Sequence, residues 1–221
     1  MNLKEDIKVI RSRRKSIAIV VKPDGTVEVR APKYMPMFLI NAFIKSKSDW
    51  IKDRQHDLKK HKKDERKFIN GEKFMYLGGE YLLKLGNYVD IDIKDKYMLF
   101  PAALGFRGKK AIELWYVKKA KKIISEQLEY YSKKMELSYK SVAFSDTKSK
   151  WGSCTHDNRL QFNWRLIMAP MIVIRYVIIH ELTHTIHKNH SRSFWMKVSE
   201  QNPSYKQQIK WLKTHGEKLQ N

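Results

Sequence analysis

Apolar and polar positions alternate along the first part of the chain and later settle into a helical period. Ser16 to Val21 and Thr26 to Ala31 are β-branched runs on either side of Asp24-Gly25. Asp-Gly between two such runs is a strong hairpin signal, because both turn positions must tolerate a left-handed backbone. Pro32 ends the second run. From Met35, apolar residues at Ile40, Phe43, Ile44, Ile51 and Leu58 predict a helix. Its far end, Lys52 to Lys67, is almost wholly charged with mixed sign and reads as a solvated extension or linker. Gly71 opens a second β stretch, in which Lys73 to Leu77 and Tyr81 to Leu85 flank Gly78-Gly79. Val89 to Ile93 and Tyr97 to Phe100 add two more short strands.

The period then changes. Lys109 to Met135 predicts a long amphipathic helix, with Ala111, Leu114, Trp115, Ile124, Leu128, Tyr131 and Met135 on its apolar stripe. Val142 to Ser145, Trp151 to Cys154 and Arg159 to Asn163 read as strands. Pro170 suits the first turn of a helix that would run to about Lys188. Ser191 can cap a following helix carrying Phe194, Trp195 and Val198. Asn202-Pro203 breaks it, and a last helix holds Ile209, Trp211 and Leu212 before Gly216. The order predicts an α+β fold: a β-rich module with one long helix over residues 1–105 and a second domain over 106–221.

Charge changes the picture. Lys and Arg number 45 against 23 Asp and Glu, a formal net charge of +22. Such an excess attracts polyanions, so nonspecific association with nucleic acid is expected. No helix-turn-helix, zinc-finger or RNA-binding signature accompanies it, which argues against sequence-specific reading. Lys118, Lys119, Lys121 and Lys122 face away from the apolar stripe of the long helix and read first as a solvated face. Cys154 is the only cysteine, so no intramolecular disulfide can form. The first residues lack a signal-peptide core, and no run approaches the about 18 apolar residues of a membrane span. A cytoplasmic location and no membrane association are the expectations.

The chemistry concentrates in His180-Glu181-Leu182-Thr183-His184 and the nearby His190. On a helix, residues four apart lie one above the other, so His180 and His184 can reach one metal at about 2.0–2.1 Å. Glu181 then stands beside a water on that metal and can take its proton. A catalytic zinc takes three protein ligands and keeps one position open. His187 and His190 compete for the third place. If the helix continues, His187 shares its face, but three ligands in one row suit tetrahedral coordination poorly. Asn189 tolerates a left-handed turn that would bring His190 back from another direction, and this favours His190. Three histidines suit zinc, although iron, cobalt and nickel also take imidazole.

The chain resembles the YgjP-like metallopeptidases, relatives of the SprT-like zinc proteases. The resemblance is carried by Lys150-Trp151-Gly152-Ser153-Cys154, Leu160-Gln161-Phe162-Asn163-Trp164-Arg165-Leu166, Ala169-Pro170, Tyr176 to His184, and Asn189 to Trp195. Weaker cues run through Arg13-Arg14-Lys15, Asp24-Gly25, Ala31-Pro32, Trp50-Ile51 and Tyr76-Leu77-Gly78-Gly79. Ala or Cys is usual where Thr183 stands, a position that is not a ligand. The resemblance implies a zincin-like catalytic domain, Zn2+ on His180, His184 and His190, Glu181 as catalytic base, and a peptide or protein substrate.

A peptidase of this kind needs an edge strand for an extended substrate, and Arg159 to Asn163 is the candidate. Asn163, Arg165, Tyr176 and His187 are candidates for stabilising an oxyanion, by nearness in sequence alone. Tyr176 also reads as a core tyrosine, and Trp151 as packing beneath the site. Two other readings stand beside the peptidase. One is a protease acting on proteins bound to nucleic acid. The other is a non-enzymatic binding protein stabilised by a closed zinc site, with His187 as fourth ligand.

Overall fold

The first strands pair as their turn chemistry requires. In the computed structural model, which describes residues 7–22, 24–62 and 66–219 (side chains of 57–62 and 106 excepted), the chain divides into compact units of residues 1–65 and 66–221. In the first unit, β2 (Ala18–Val21) and β3 (Val27–Pro32) form the antiparallel hairpin expected around Asp24-Gly25. The Asp24 carboxylate accepts from the Thr26 backbone N–H at 2.9 Å and hydroxyl at 2.7 Å, which closes the turn. A strand not expected from the sequence, β1 (Ile7–Ser12), pairs in parallel with the other side of β3. Val29, Ala31 and Ile40 bury between the sheet and α1 (Met37–Ser46). The single helix expected from Met35 is two, because the chain departs from helical angles at Lys47 before α2 (Ser48–Lys62). The described residues 66–69 are not helical, and the side chain of Leu58 lies outside the described residues.

The second unit holds two sheets against a helical layer. One has the order β4 (Lys73–Tyr76), β5 (Gly79–Gly86), β7 (Tyr97–Pro101), β6 (Asp92–Lys94). The β4–β5 turn is Leu77-Gly78, one residue earlier than Gly78-Gly79, and both residues have positive φ (49° and 82°). That turn docks on the segment entering the metal-motif helix. The Leu77 and Gly78 N–H groups donate to the carbonyls of Ile167 and Met168 at 2.9 and 3.0 Å. A Cβ on Gly78 would come within 2.8 Å of the Pro170 backbone.

Behind this sheet runs α3 (Gly108–Met135), which buries Ile112, Trp115, Tyr116, Ala120, Ile124, Leu128, Tyr131 and Met135. Leu114 departs from the expected stripe and is 55% exposed; Ile112 and Tyr116 turn inward in its stead. The other sheet has the order β8 (Ser141–Ser145), β10 (Arg159–Asn163), β9 (Gly152–Cys154). β10 is therefore its middle strand and cannot offer an edge, since β8 occupies one side and β9 the other. The free edge beside the metal-motif helix belongs to β9.

Helix α4 (Met171–Thr183) buries nine of its residues and stops well short of Lys188. Past Thr183 the chain tightens into turns, with Thr185 N donating to Leu182 O at 2.9 Å and His187 N to Thr183 O at 2.9 Å, and two hydroxyls add to these bonds. Thr183 Oγ1 donates to Ile179 O and Thr185 Oγ1 to Leu182 O, both at 2.7 Å. Ser191 caps α5 (Arg192–Gln201) as expected, accepting from Phe194 N. α6 (Tyr205–Leu219) runs on through Gly216, where a Cβ would meet the Trp151 ring at 3.1 Å. No helix among the described residues is long and apolar enough to cross a membrane.

Gly78→Ala combines a left-handed backbone with a clash against Pro170. It should cost about 2–5 kcal/mol in urea denaturation, the sum of about 1–2 for the backbone and 1–3 for overpacking. Leu114→Ala, at an exposed position of the same unit, should stay within about 0.5 kcal/mol.

Candidate metal centre

Helix α4 is apolar on nearly every side, so packing holds it as a rigid post inside the second unit. Its last turn carries His180, Glu181 and, at the cap, His184. The turn at 184–186 then sends the chain back, and His190 arrives from a different direction. One nitrogen from each of His180, His184 and His190 lies within 4.8 Å of the other two. Nε2 of His180 and Nε2 of His190 are 3.1 Å apart. Ligands at about 2.0–2.1 Å in a tetrahedron would stand about 3.3 Å apart. The spacing of this pair is thus close to what a small cation requires.

The outer nitrogens of His180 and His184 have partners of their own. His184 Nδ1–H donates to the His187 carbonyl at 2.9 Å, which fixes the tautomer with a lone pair on Nε2. The Tyr176 hydroxyl lies 3.3 Å from His180 Nδ1 and orients that ring; being able to give or take a proton, it does not itself set the tautomer. Such outer partners orient metal ligands and raise their basicity. His187 thus meets the cluster through its backbone oxygen. Its ring is not among the three that gather, so the described residues supply no fourth imidazole.

Aromatic rings close the back of the cluster. Phe194 on α5 is fully buried, with its centroid 4.6–4.9 Å from all three imidazoles. Trp195 stacks on His190, and Tyr205 stacks on Trp195. The sequence places Phe194 and Trp195 on a helix but does not reveal that they form this wall. Their spacing behind the Ser191 cap, directly after His190, is the signal that could have shown it.

Glu181 packs against β9. It is 5% exposed, and a Cβ on Gly152 would come within 2.6 Å of its Cγ, so bare backbone on β9 is what admits the carboxyl group. Oε2 is buried with no hydrogen-bond partner. Burial pushes Glu181 up to about 8, opposed by the nearby Lys150 ammonium. Burial, then His184 and His190, pushes His180 down to about 3, and burial lowers His184 as well. Neutral imidazoles are the form that binds metal. Convergent lone pairs and an orphaned carboxyl oxygen form a donor set that fits a bound cation.

The other candidates have structural partners. Asn163 is buried, donates through Nδ2 to Thr147 O at 2.9 Å and accepts from Arg165 N at 2.9 Å, which ties down the loop before β9. Arg165 pairs with Asp146 and stacks over Trp164. Neither is drawn into the histidine cluster. Cys154 is held in the thiol form by burial, and its Sγ donates to Thr155 O at 3.4 Å.

The profile of a protein family described as "YgjP-like, metallopeptidase domain" matches residues 15–215. No curated protein and no solved structure matches the chain.

The shifts of His180 and Glu181 act oppositely on stability in the metal-free chain. His180 ionises in the unfolded state below 6.5 but in the fold only near 3, so stability falls as pH drops through that window. Glu181 loses its proton near 4.5 when unfolded and near 8 when folded, so stability falls as pH rises between them. Thermal melts across pH should therefore show a plateau at about 4.5–6.5. Glu181→Gln should flatten the alkaline limb, and an unchanged limb would contradict the burial of this carboxyl. Tyr176→Phe should weaken zinc affinity by about 10–100-fold in competition with a chelator.

Proposed function

The chain belongs to the YgjP-like metallopeptidase family, and from that premise we propose that it is a zinc-dependent peptidase in which His180, His184 and His190 hold the metal and Glu181 is the general base. The observation that carries this reading is the gathering of three imidazoles beside a buried carboxyl whose Oε2 has no protein partner. A closed structural site would need a fourth protein ligand, and the cluster offers three. Zinc bound there would supply Lewis acidity to a water molecule and to the scissile carbonyl.

The remaining roles belong to the chain's own groups. Glu181 takes a proton from the attacking water and returns it to the leaving amine. Its raised proton affinity suits both directions of transfer. Tyr176 and the His187 carbonyl keep the ligating rings oriented, and Phe194 and Trp195 exclude water behind them.

An extended substrate has an edge to join. In the β9–β10 ladder, Asn163 N donates to Trp151 O and Thr155 N to Arg159 O. By the alternation of antiparallel pairing, the backbone groups of Gly152 and Cys154 point away from β10. A peptide pairing with them would run past Glu181, which touches Gly152. This is the ground for peptides over small-molecule substrates.

Glu181→Gln should retain zinc while hydrolysis of a quenched peptide library falls by about 10²–10⁴-fold. A chelator should abolish activity and added zinc should restore it. Hydrolysis at the wild-type rate in the zinc-loaded Gln variant would overturn the role of Glu181.

A further inference from the structure

The first unit holds a second candidate site that the peptidase chemistry does not use. A cleft of about 230 Å³ is lined by Ser12, Arg13, Arg14, Pro32, Lys33, Tyr34 and Met35. It sits where the adjacent parallel strands β1 and β3 end together, Ser12 opposite Pro32. Both walls are fixed. Arg14 N donates to Ser12 O at 2.8 Å, and Met35 N to Pro32 O at 3.2 Å. The Arg11 guanidinium, just outside, donates to the carbonyls of Lys33 at 3.0 Å and Met35 at 2.6 Å.

Among the described residues, three cations and no carboxylate line the cleft. The buried carboxylate of this sheet, Glu28, is already held by Lys22 at 3.0 Å and Arg30 at 2.7 Å. Asp24 is engaged by Thr26. Arg14 Nε is buried with no acceptor, an orphan donor that an anionic oxygen would satisfy. Beside these groups Tyr34 is 87% exposed, with the Lys33 ammonium 5.6 Å from its ring centroid. Clustered cations with an open aromatic ring are the elements that bind a phosphodiester and stack its base. The ring favours a single strand over a duplex, whose bases are already stacked.

We propose that this cleft binds single-stranded nucleic acid, with a backbone phosphate between Arg13, Arg14 and Lys33 and a base on Tyr34. The +22 charge of the whole chain draws polyanions to the surface at large; the cleft gives that attraction a place. It does not depend on hydrolysis, so Glu181→Gln should bind as the wild type does, and failure of one reading leaves the other standing.

The test is fluorescence anisotropy of the full chain with labelled oligothymidylate about 20 nucleotides long, titrated across salt concentrations. Arg13→Gln with Lys33→Gln alters only exposed side chains. It should weaken binding about tenfold and reduce the slope of log K against log salt by about 0.7, the value for one lost phosphate contact on a single strand. Tyr34→Ala should weaken the single strand about fivefold or more while leaving a duplex of the same sequence unchanged. Arg14→Lys, which keeps the charge but not the Nε donor, should fall between wild type and Arg14→Gln. A control removes Lys118, Lys121 and Lys122 together by substitution to Gln and should lose less than the cleft variant. No binding by the wild type, or cleft variants that bind normally while the lysine control does not, would overturn the proposal.

Discussion

The carboxyl group of Glu181 rests on the bare Cα of Gly152, and this contact ties the two halves of the site together. Helix α4 supplies the histidines and the glutamate, whereas β9 supplies an outer strand of its sheet. That strand can lie this near the carboxyl only because residue 152 has no side chain to hold it away. The same contact dries the carboxyl and raises its proton affinity, at a cost to the metal-free fold. A buried, unpartnered oxygen is an unfavourable feature in a protein interior, and such features concentrate where chemistry is done.

The rest of the second unit keeps both elements in register. The Leu77-Gly78 turn clamps the entrance of α4 through two backbone hydrogen bonds and a close approach to Pro170. Asn163, at the end of β10, holds the loop that leads into β9. Phe194 fills the space behind the imidazoles, so the three rings meet against a packed surface while His190 stays open to solvent. Sheet, helix and aromatic wall each fix one direction of approach, and the nitrogens converge as a consequence.

Much of this was legible in the residues. His180, Glu181 and His184 carry their own geometry because a helix places residues four apart on one face. His190 returns from another direction as expected, but through the turn at 184–186, and Asn189 does not take the left-handed backbone expected of it. The turn chemistry of Asp24-Gly25 named its hairpin, and the apolar period named α3. What stayed hidden depended on partners distant in sequence. β1 was missed because only pairing with β3 makes a strand of it. β10 looked like an edge, but strand order is set by tertiary pairing with β8, which no local pattern reveals. Helix α4 was drawn too long because its backbone tightens into turns after Thr183, with Thr185 N on Leu182 O and His187 N on Thr183 O, a change that no break in the residue pattern marks. Leu114 fitted the stripe by spacing, yet it lies beyond the buried arc of α3. The cradle around Arg14 could not be foreseen, since it forms from two loops twenty residues apart.

The convergence of His180, His184 and His190 is tested most directly by elemental analysis of protein purified without chelator or a metal-affinity tag. The account predicts about one zinc per chain, lost when any of the three histidines is replaced by alanine and kept when His187 is replaced. Protein that carries no metal and takes up none on addition of zinc would contradict it, as would a zinc that survives loss of His190.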